Sequence, residues 1–179
     1  IAALQKAIMP KIEKYVYGFG KDQLEGIIGQ FLKKNNLTLA TAESCTGGYL
    51  AHMITSVSGS SKYFKSSIIA YSNEIKTAHL GVRTEDLRQH GAVSEEVAIA
   101  MATGACEKFG ADYGLSVTGF AGPAGGTQLL PVGSIYLGYA SPVGVWAKQL
   151  HLRGDRASNR RRATTAALDW MRRKLRKYK

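Results

Sequence analysis

The stretch that decides the fold is ATAESCTGGYLA, residues 40–51. It joins a strand-like run at 37–42 to apolar residues with helical spacing, from which we predict a helix over 46–57. The junction holds a Glu, a Ser, a Cys, two Thr and a Gly pair. It is open to two interpretations: an ordinary capped turn, or a nucleophile beside a helix N-terminus that binds an anion.

The rest of the chain continues this alternation of strands and helices. Predicted strands at 66–71 and 112–117 are separated by amphipathic helices, of which 94–110 is the clearest. Two β-rich runs on either side of Ser141 predict a hairpin, and a long helix is predicted after Asp155. We therefore predict an α/β fold, a three-layer α/β/α sandwich with a mixed, mainly parallel sheet.

The first twenty residues differ from the rest of the chain. Residues 1–20 predict a short helix interrupted by Pro10 and then a linker punctuated by glycine. Because the chain opens with Ile1 and not with Met, we expect it to have been cut, either from a longer protein or by processing. Residues 21–179 are expected to form one domain.

Composition excludes several classes of protein. Of the 179 residues, 45% are hydrophobic and 21% are charged, which is typical of a globular domain. The sequence has no apolar run of about 20 residues and no secretory signal. Two cysteines, Cys45 and Cys106, are too few for a disulfide framework, and no metal-ligand spacing is present. We expect a cytoplasmic protein without a membrane partner.

The net charge of +11 is concentrated near the C-terminus. Residues 153–179 contain eleven Lys and Arg against two acids, a net charge of +9. Such a segment suits a phosphate ligand, a nucleic acid or an acidic protein surface. Since Trp170 and Tyr178 are too few for a typical nucleic-acid interface, we do not expect nucleic acid as a partner.

Three predicted strand ends are polar and rich in glycine: AESCTGG, YSNEIK and TGFAGPAGGT. Ligands of parallel α/β sheets bind at the carboxyl ends of strands, so these segments form either one pocket or three ordinary turns. Ser44 and Cys45 are candidate nucleophiles, although packing in the core is the favoured interpretation of Cys45. Glu43 is interpreted as a cap or as a hydrogen-bond acceptor.

A serine nucleophile needs a base. The four histidines are scattered along the sequence, so a histidine-based triad is not supported. Lys76 is the alternative base, because it follows a predicted strand end and a turn. To act as a base it must be neutral, which requires burial or a neighbouring cation. The competing interpretation of Lys76 is a solvated surface lysine.

Five motifs in this order resemble the carboxy-terminal domain of the CinA family, the competence-damage-inducible proteins: TLATAESCTGG, AYSNEIK, HGAVSEEVA, TGFAGPAGGT and PVG. The resemblance covers about residues 21–176. Some family members are nicotinamide-nucleotide amidohydrolases. The resemblance implies the three-layer α/β/α fold and hydrolysis of nicotinamide mononucleotide (NMN) to nicotinate mononucleotide and ammonia, a step in pyridine-nucleotide salvage. It implies no metal and no cofactor.

The resemblance also assigns roles to residues. It implies Ser44 as the nucleophile, Lys76 as the base that takes its proton, and Tyr71 as a relay or orienting group. N–H groups around residues 45–47 would stabilise the oxyanion, and the helix end or Arg156 would take the 5′-phosphate. The expected substrate-binding residues are Cys45, Thr46, Gly47, Gly48, Asn73, Thr118, Gly119, Arg156 and, as the alternative to Arg156, Arg160.

Partners and rival functions follow from the same resemblance. Residues 1–20 resemble the linker of fused family members, in which a molybdopterin-binding-like domain precedes this one. The resemblance therefore implies that residues 1–20 are a linker or helix remnant and that the full-length chain carries such a domain. We also expect a homo-oligomer, a dimer. Residues 128–130, QLL, replace the charged residues usual in the family, which predicts contact with a partner. The alternatives to an amidohydrolase are a nucleotide-binding regulatory domain with little or no catalysis and, supported only by the basic end, a nucleic-acid-binding module.

Overall fold

A computed structural model describes residues 2–176, so predictions that involve Ile1, Lys177, Tyr178 or Lys179 lie outside the described residues. The strands are β1 (Leu39–Glu43), β2 (Phe64–Ile69), β3 (Tyr113–Gly119), β4 (Ser134–Ser141) and β5 (Gly144–His151). The α-helices are α1 (Ala2–Ile12), α2 (Leu24–Lys34), α3 (Tyr49–Thr55), α4 (Asn73–Leu80), α5 (Thr84–His90), α6 (Glu95–Phe109) and α7 (Arg156–Leu175).

The five strands form one sheet in the order β2-β1-β3-β4-β5. β1 is parallel to both β2 and β3, while β4 is antiparallel to both β3 and β5. Four strands therefore run in one direction and β4 runs against them, which confirms the mixed, mainly parallel sheet. Glu43 pairs with Ile69 on one side and Val117 on the other, so β1, β2 and β3 end at the same edge of the sheet.

Helices cover both faces of the sheet, which confirms the three layers. The alternation of β1 places Leu39 in the core under α2, α3 and α7, and Ala40 and Ala42 in the core under α4, α5 and α6. Small residues dominate the second face because α6 lies close to the strands. A Cβ atom at Gly114 or Gly138 would collide with backbone carbonyl oxygens of α6.

Side-chain caps fix the start of three helices. The Ser72 hydroxyl accepts a hydrogen bond from the backbone N–H of Ile75 at the start of α4. Ser94 does the same at the start of α6, and Asp155 at the start of α7. The observed β4–β5 hairpin agrees with the prediction.

Several predicted bounds differ from the structure, and β2 (Phe64–Ile69) lies two residues earlier than the predicted strand at 66–71. α3 begins at Tyr49 and not at residue 46, because Gly47 and Gly48 have φ angles of +58° and +93° and form a left-handed turn before the helix. Pro10 lies inside α1 and does not interrupt it. In the part of the chain that the structure describes, no helix combines the length and the apolar character needed to cross a membrane.

Candidate active site

A cavity of about 230 Å³ lies at the sheet edge where β1, β2 and β3 end. The three polar strand ends therefore meet in one pocket. Eight of the predicted site residues line it: Ser44, Cys45, Tyr71, Asn73, Lys76, Thr118, Gly119 and Arg156.

Ser44 and Lys76 approach each other in this cavity from neighbouring elements. Ser44 follows β1 directly, and its N–H continues the pairing with β3 by donating to the carbonyl oxygen of Val117. Lys76 lies in the first turn of α4, where helical side chains lean towards the N-terminus and so towards the strand ends. The Lys76 Nζ atom is 3.5 Å from the Ser44 Oγ atom.

The burial of Lys76 favours its neutral form. Its side chain is only 2% exposed, and Nζ donates to the carbonyl oxygens of Ala70 at 2.9 Å and Ser72 at 3.5 Å. Burial lowers the pKa of Lys76 below its usual value, partly opposed by the negative charge of Glu74. A neutral amine has two N–H groups for the two carbonyls and one lone pair for the Ser44 hydroxyl. The interpretation of Lys76 as a solvated surface lysine is wrong.

Cys45 packs in the core, as the sequence favours. Its side chain is 6% exposed and lies in the core on the α3 and α7 side of the sheet. Burial raises the pKa of the Cys45 thiol to about 12. A thiol is nucleophilic only as the thiolate, so Cys45 is a poor nucleophile near neutral pH. Because the thiol is then uncharged, it also gives Lys76 no counter-ion.

The backbone N–H groups at the start of α3 are hydrogen-bonded to the carboxylate of Glu43. Glu43 is completely buried, and its Oε2 atom accepts hydrogen bonds from the N–H groups of Gly48 at 2.9 Å and Leu50 at 3.0 Å. Its Oε1 atom accepts from the N–H of Ala51 at 2.8 Å. The prediction that this helix end takes the substrate phosphate is therefore wrong, because its donors are already paired.

The predicted oxyanion site, the N–H groups of residues 45–47, is reduced to one donor. The Gly47 N–H donates to the carbonyl oxygen of Ser44 at 3.1 Å, and Thr46 has no exposed surface. Cys45 lines the cavity, and its N–H donates to no other residue within the described part of the chain. This leaves the Cys45 N–H as the candidate donor in this turn for a developing oxyanion.

Arg156, the first residue of α7, lies at the rim of the cavity. Its guanidinium group donates to the Tyr71 hydroxyl at 2.7 Å and to the carbonyl oxygen of Gly122 at 2.9 Å. A guanidinium group has five donors, so further N–H groups are available to an anion. The Tyr71 hydroxyl is therefore paired with Arg156, and no hydrogen bond joins it to Ser44 or Lys76 among residues 2–176.

Four predicted residues do not line the cavity, and one of them, Arg160, is hydrogen-bonded to the turn that follows β1. Arg160 donates from Nε at 3.2 Å and from Nη2 at 2.7 Å to the carbonyl oxygen of Thr46. A Cβ atom at Gly47 would lie 3.2 Å from the Arg160 guanidinium group. The structure does not bring Thr46, Gly47, Gly48 or Arg160 to the cavity wall, and of the two arginines only Arg156 reaches it.

Thr118, Gly119 and Asn73 complete the polar wall. The Thr118 hydroxyl donates to the carbonyl oxygen of Ala92 at 2.7 Å, so towards a substrate it can act only as an acceptor. Gly119 lies where a Cβ atom would collide with β4. Asn73 is exposed at the start of α4.

An apolar wall of the cavity was not identified from the sequence. It consists of apolar residues inside two of the quoted motifs, HGAVSEEVA and TGFAGPAGGT, to which the sequence assigned no role: Ala92, Val93, Phe120, Ala121 and Ala124. Asn159 on α7 fixes part of this wall, because its amide donates to the carbonyl oxygens of Ala121 and Gly154. The signal available was the apolar residue Phe120 directly after Thr118-Gly119. No group of His, Cys, Asp or Glu side chains among residues 2–176 is arranged to hold a metal ion.

Comparison with known proteins identifies the family. Residues 21–175 match the model of the CinA C-terminal domain. A CinA-like protein of Cytophaga hutchinsonii is 51% identical over 173 residues, and one of Kosmotoga olearia is 51% identical over 175 residues. The alignments cover 97% and 98% of this chain but only 41% and 42% of those proteins, so the chain spans less than half of their length.

Solved structures agree with the family match. The competence damage-inducible protein A of Klebsiella pneumoniae superposes with a TM-score of 0.84 at 31% identity, covering 87% of this chain and 97% of that one. The competence/damage inducible protein CihA of Agrobacterium tumefaciens superposes with a TM-score of 0.81 at 35% identity, covering 83% and 91%. The chain belongs to the CinA family and carries its C-terminal domain.

Proposed function

We propose that this domain is a nicotinamide-nucleotide amidohydrolase, which converts NMN and water to nicotinate mononucleotide and ammonia. The observation that carries the proposal is the buried Lys76 amine, 3.5 Å from the Ser44 hydroxyl in a cavity that also holds Arg156. Membership of a family that includes such amidohydrolases supports the choice of substrate.

In the first half of the proposed reaction, Ser44 forms an ester with the substrate. The Ser44 oxygen attacks the carboxamide carbon while its proton moves to the neutral amine of Lys76. The Cys45 N–H donates to the oxyanion of the tetrahedral intermediate. The carbon–nitrogen bond then breaks, and the nitrogen takes the proton from Lys76 and leaves as ammonia.

In the second half, water replaces ammonia. Lys76 accepts a proton from water, the resulting oxygen nucleophile attacks the ester carbon, and the Cys45 N–H again donates to the oxyanion. The ester bond breaks, Ser44 regains its proton from Lys76, and the carboxylate product is released. Lys76 thus acts as base and then acid in both halves, which requires a pKa near the working pH.

Arg156 is the proposed anchor of the 5′-phosphate. It lies at the rim, and its present partners are a tyrosine hydroxyl and a backbone carbonyl, both neutral. A phosphate offers charge-assisted, bidentate hydrogen bonds that are stronger than bonds to neutral acceptors. In this scheme Tyr71 orients the arginine and the bound nucleotide.

The test is ammonia release from NMN by the purified chain and by Ser44→Ala. We expect turnover by the wild type and a loss of at least about 10³-fold in Ser44→Ala, as for removal of other catalytic nucleophiles. Ser66→Ala, a serine of β2 outside the cavity, is the matched control and should keep turnover. If the wild type binds NMN but releases no ammonia at any pH, a nucleotide-binding regulatory domain replaces the amidohydrolase.

Two proposals concern the longer protein. The relatives extend well beyond this domain, and we propose that the additional chain includes the molybdopterin-binding-like domain of fused family members. We also propose that the protein is a dimer. Sedimentation of the full-length chain tests the second proposal, and a monomer at all concentrations would contradict it.

A further inference from the structure

We propose that Glu43 is a positioning residue for this reaction. Its buried carboxylate holds residues 44–48 so that the Ser44 hydroxyl faces Lys76 and the Cys45 N–H faces the cavity. The inference rests on the proposed serine-based hydrolysis, and it adds a residue that touches no reacting atom.

The backbone of Glu43 is fixed from both sides. It is the last residue of β1 and pairs with Ile69 of β2 and Val117 of β3, so it lies in the middle of three strands. From this fixed point its side chain crosses the turn and accepts hydrogen bonds from Gly48 and Leu50 on one oxygen. The turn that carries the nucleophile is therefore tied to the centre of the sheet.

The groups hydrogen-bonded to the Glu43 side chain are all donors, which suits a carboxylate. It accepts hydrogen bonds and donates none, and here three backbone N–H groups at 2.8–3.0 Å and the Ser67 hydroxyl at 3.4 Å all donate to it. No Lys, Arg or His forms an ion pair with Glu43 within residues 2–176. A buried carboxylate balanced only by N–H and hydroxyl groups depends on their geometry and so fixes it.

The turn needs this tether because its own sequence does not fix its shape. Gly47 and Gly48 are consecutive residues with positive φ, and a glycine pair has many other conformations available. Ser44 and Cys45 lie directly before the pair, so a change of turn would move both the hydroxyl and the N–H that the reaction uses. The same carboxylate also fills the start of α3, which leaves Arg156 as the place for the substrate phosphate.

The first experiment compares Glu43→Gln with Thr41→Val in steady-state hydrolysis of NMN. Glutamine keeps the length of the side chain, but its NH₂ group cannot accept from an N–H, so at least one of the three donors loses its partner. We expect kcat to fall about 100-fold, as when an oxyanion donor is lost. We expect KM to change by less than about threefold, because the phosphate contact at Arg156 is untouched.

Thr41→Val is the matched control. Thr41 is also buried on β1, two residues before Glu43 and on the same face of the sheet, and its hydroxyl has no hydrogen-bond partner among the described residues. We expect its kcat to be unchanged. If Glu43→Gln keeps the wild-type kcat per folded molecule and only unfolds at a lower temperature, the role of Glu43 is structural and the proposal is overturned.

A second measurement tests the positioning role of Glu43 independently of whether NMN is the substrate. Mass spectrometry measures the rate at which p-nitrophenyl acetate acetylates Ser44 in the wild type and in Glu43→Gln. A much slower acetylation in Glu43→Gln supports the positioning role even if NMN proves not to be a substrate. Equal rates of acetylation overturn the positioning role, whatever the result with NMN.

Amide hydrogen exchange of the wild type decides the case if Glu43→Gln does not fold. The N–H groups of Gly48, Leu50 and Ala51 should exchange slowly, and the N–H of Cys45 should exchange much faster. Fast exchange at Gly48 and Leu50 would mean that the tether is absent in solution, and the proposal would fail.

Discussion

Two basic side chains are buried in the part of the chain that the structure describes, and they are buried in different ways. Arg172 on α7 is 4% exposed and donates from Nε at 3.0 Å and from Nη2 at 2.7 Å to the carboxylate of Asp169. Lys76 is buried as deeply, but its partners are the carbonyl oxygens of Ala70 and Ser72 and the hydroxyl of Ser44.

We propose that the difference separates a basic side chain that stabilises the fold from one that is prepared for chemistry. Arg172 keeps its charge because an anion lies beside it and because arginine does not lose its proton in proteins. Lys76 has only neutral oxygens in direct contact, so burial penalises its charged form and lowers its pKa. A buried amine without a counter-ion destabilises the fold unless it is neutral, and we propose that a neutral Lys76 beside Ser44 acts as a base.

The largest expected effect is on turnover when Lys76 is replaced by arginine. Lys76→Arg keeps a positive charge but cannot deprotonate, so we expect turnover of NMN to fall about 10²–10⁴-fold, the usual contribution of a general base. Binding of NMN, measured by calorimetry, should persist. Lys108→Arg, on the exposed side of α6, is the matched control. Wild-type turnover in Lys76→Arg would remove Lys76 from the mechanism.

The second effect, on stability, belongs to Arg172. Arg172→Met should lower the free energy of unfolding by about 1–3 kcal/mol, because a buried charged hydrogen-bond network is broken. The loss is limited because Asp169 keeps Arg173 as a partner at 2.6 Å. Urea unfolding measures it, with exposed Arg161→Met as the control on the same helix. Turnover of the folded variant should be normal. A large loss of turnover in folded Arg172→Met would contradict a purely structural role for Arg172.

A third, smaller effect is the contribution of Lys76 to the pH dependence of the free energy of unfolding. Its folded pKa lies below the unfolded value of about 10.4, so between the two values the unfolded chain binds more protons. Below the pKa of Lys76 in the folded protein, the buried charge lowers the free energy of unfolding by its full amount. This loss disappears as the pH rises to the pKa of the lysine in the unfolded chain. Stability of the wild type relative to Lys76→Met should therefore rise with pH across this window. A constant difference would contradict the lowered pKa.

The smallest effect is expected at Cys45. Cys45→Ala should keep turnover within about threefold of wild type, because a thiol with a pKa of about 12 is not the nucleophile. It should lower the free energy of unfolding by about 1 kcal/mol through lost packing. Steady-state kinetics and urea unfolding on the same sample measure both. Loss of turnover in a stable Cys45→Ala would transfer the nucleophile role from Ser44 to Cys45.

Much of the fold could be predicted because local signals and tertiary structure agree. Ser94 and the acids after it mark the start of α6, and the β-rich runs around Ser141 give the hairpin. α5 was missed because its seven residues contain a single apolar residue, Leu87, and so show no periodicity. The start of α3 was placed too early because spacing does not reveal that Gly47 and Gly48 adopt positive φ angles.

The site could be predicted only in part. Residue type and position at strand ends indicated Ser44 and Lys76, but spacing could not show that Lys76 is buried. Whether Arg156 or Arg160 reaches the cavity depends on how α7 packs, since the two lie about one helical turn apart. The three hydrogen bonds of Glu43 depend on the shape of a glycine turn, which no local pattern determines.

The central claim is that Lys76 is a base made neutral by burial, and its protonation can be followed directly. The measurement is an NMR titration of a sample with labelled lysine side chains, in which Lys76→Arg assigns the Lys76 signal. We expect one lysine that titrates below the reference value of about 10.4 and whose signal is absent in Lys76→Arg. If every lysine titrates together near that value, Lys76 is charged at working pH and the proposed mechanism is wrong.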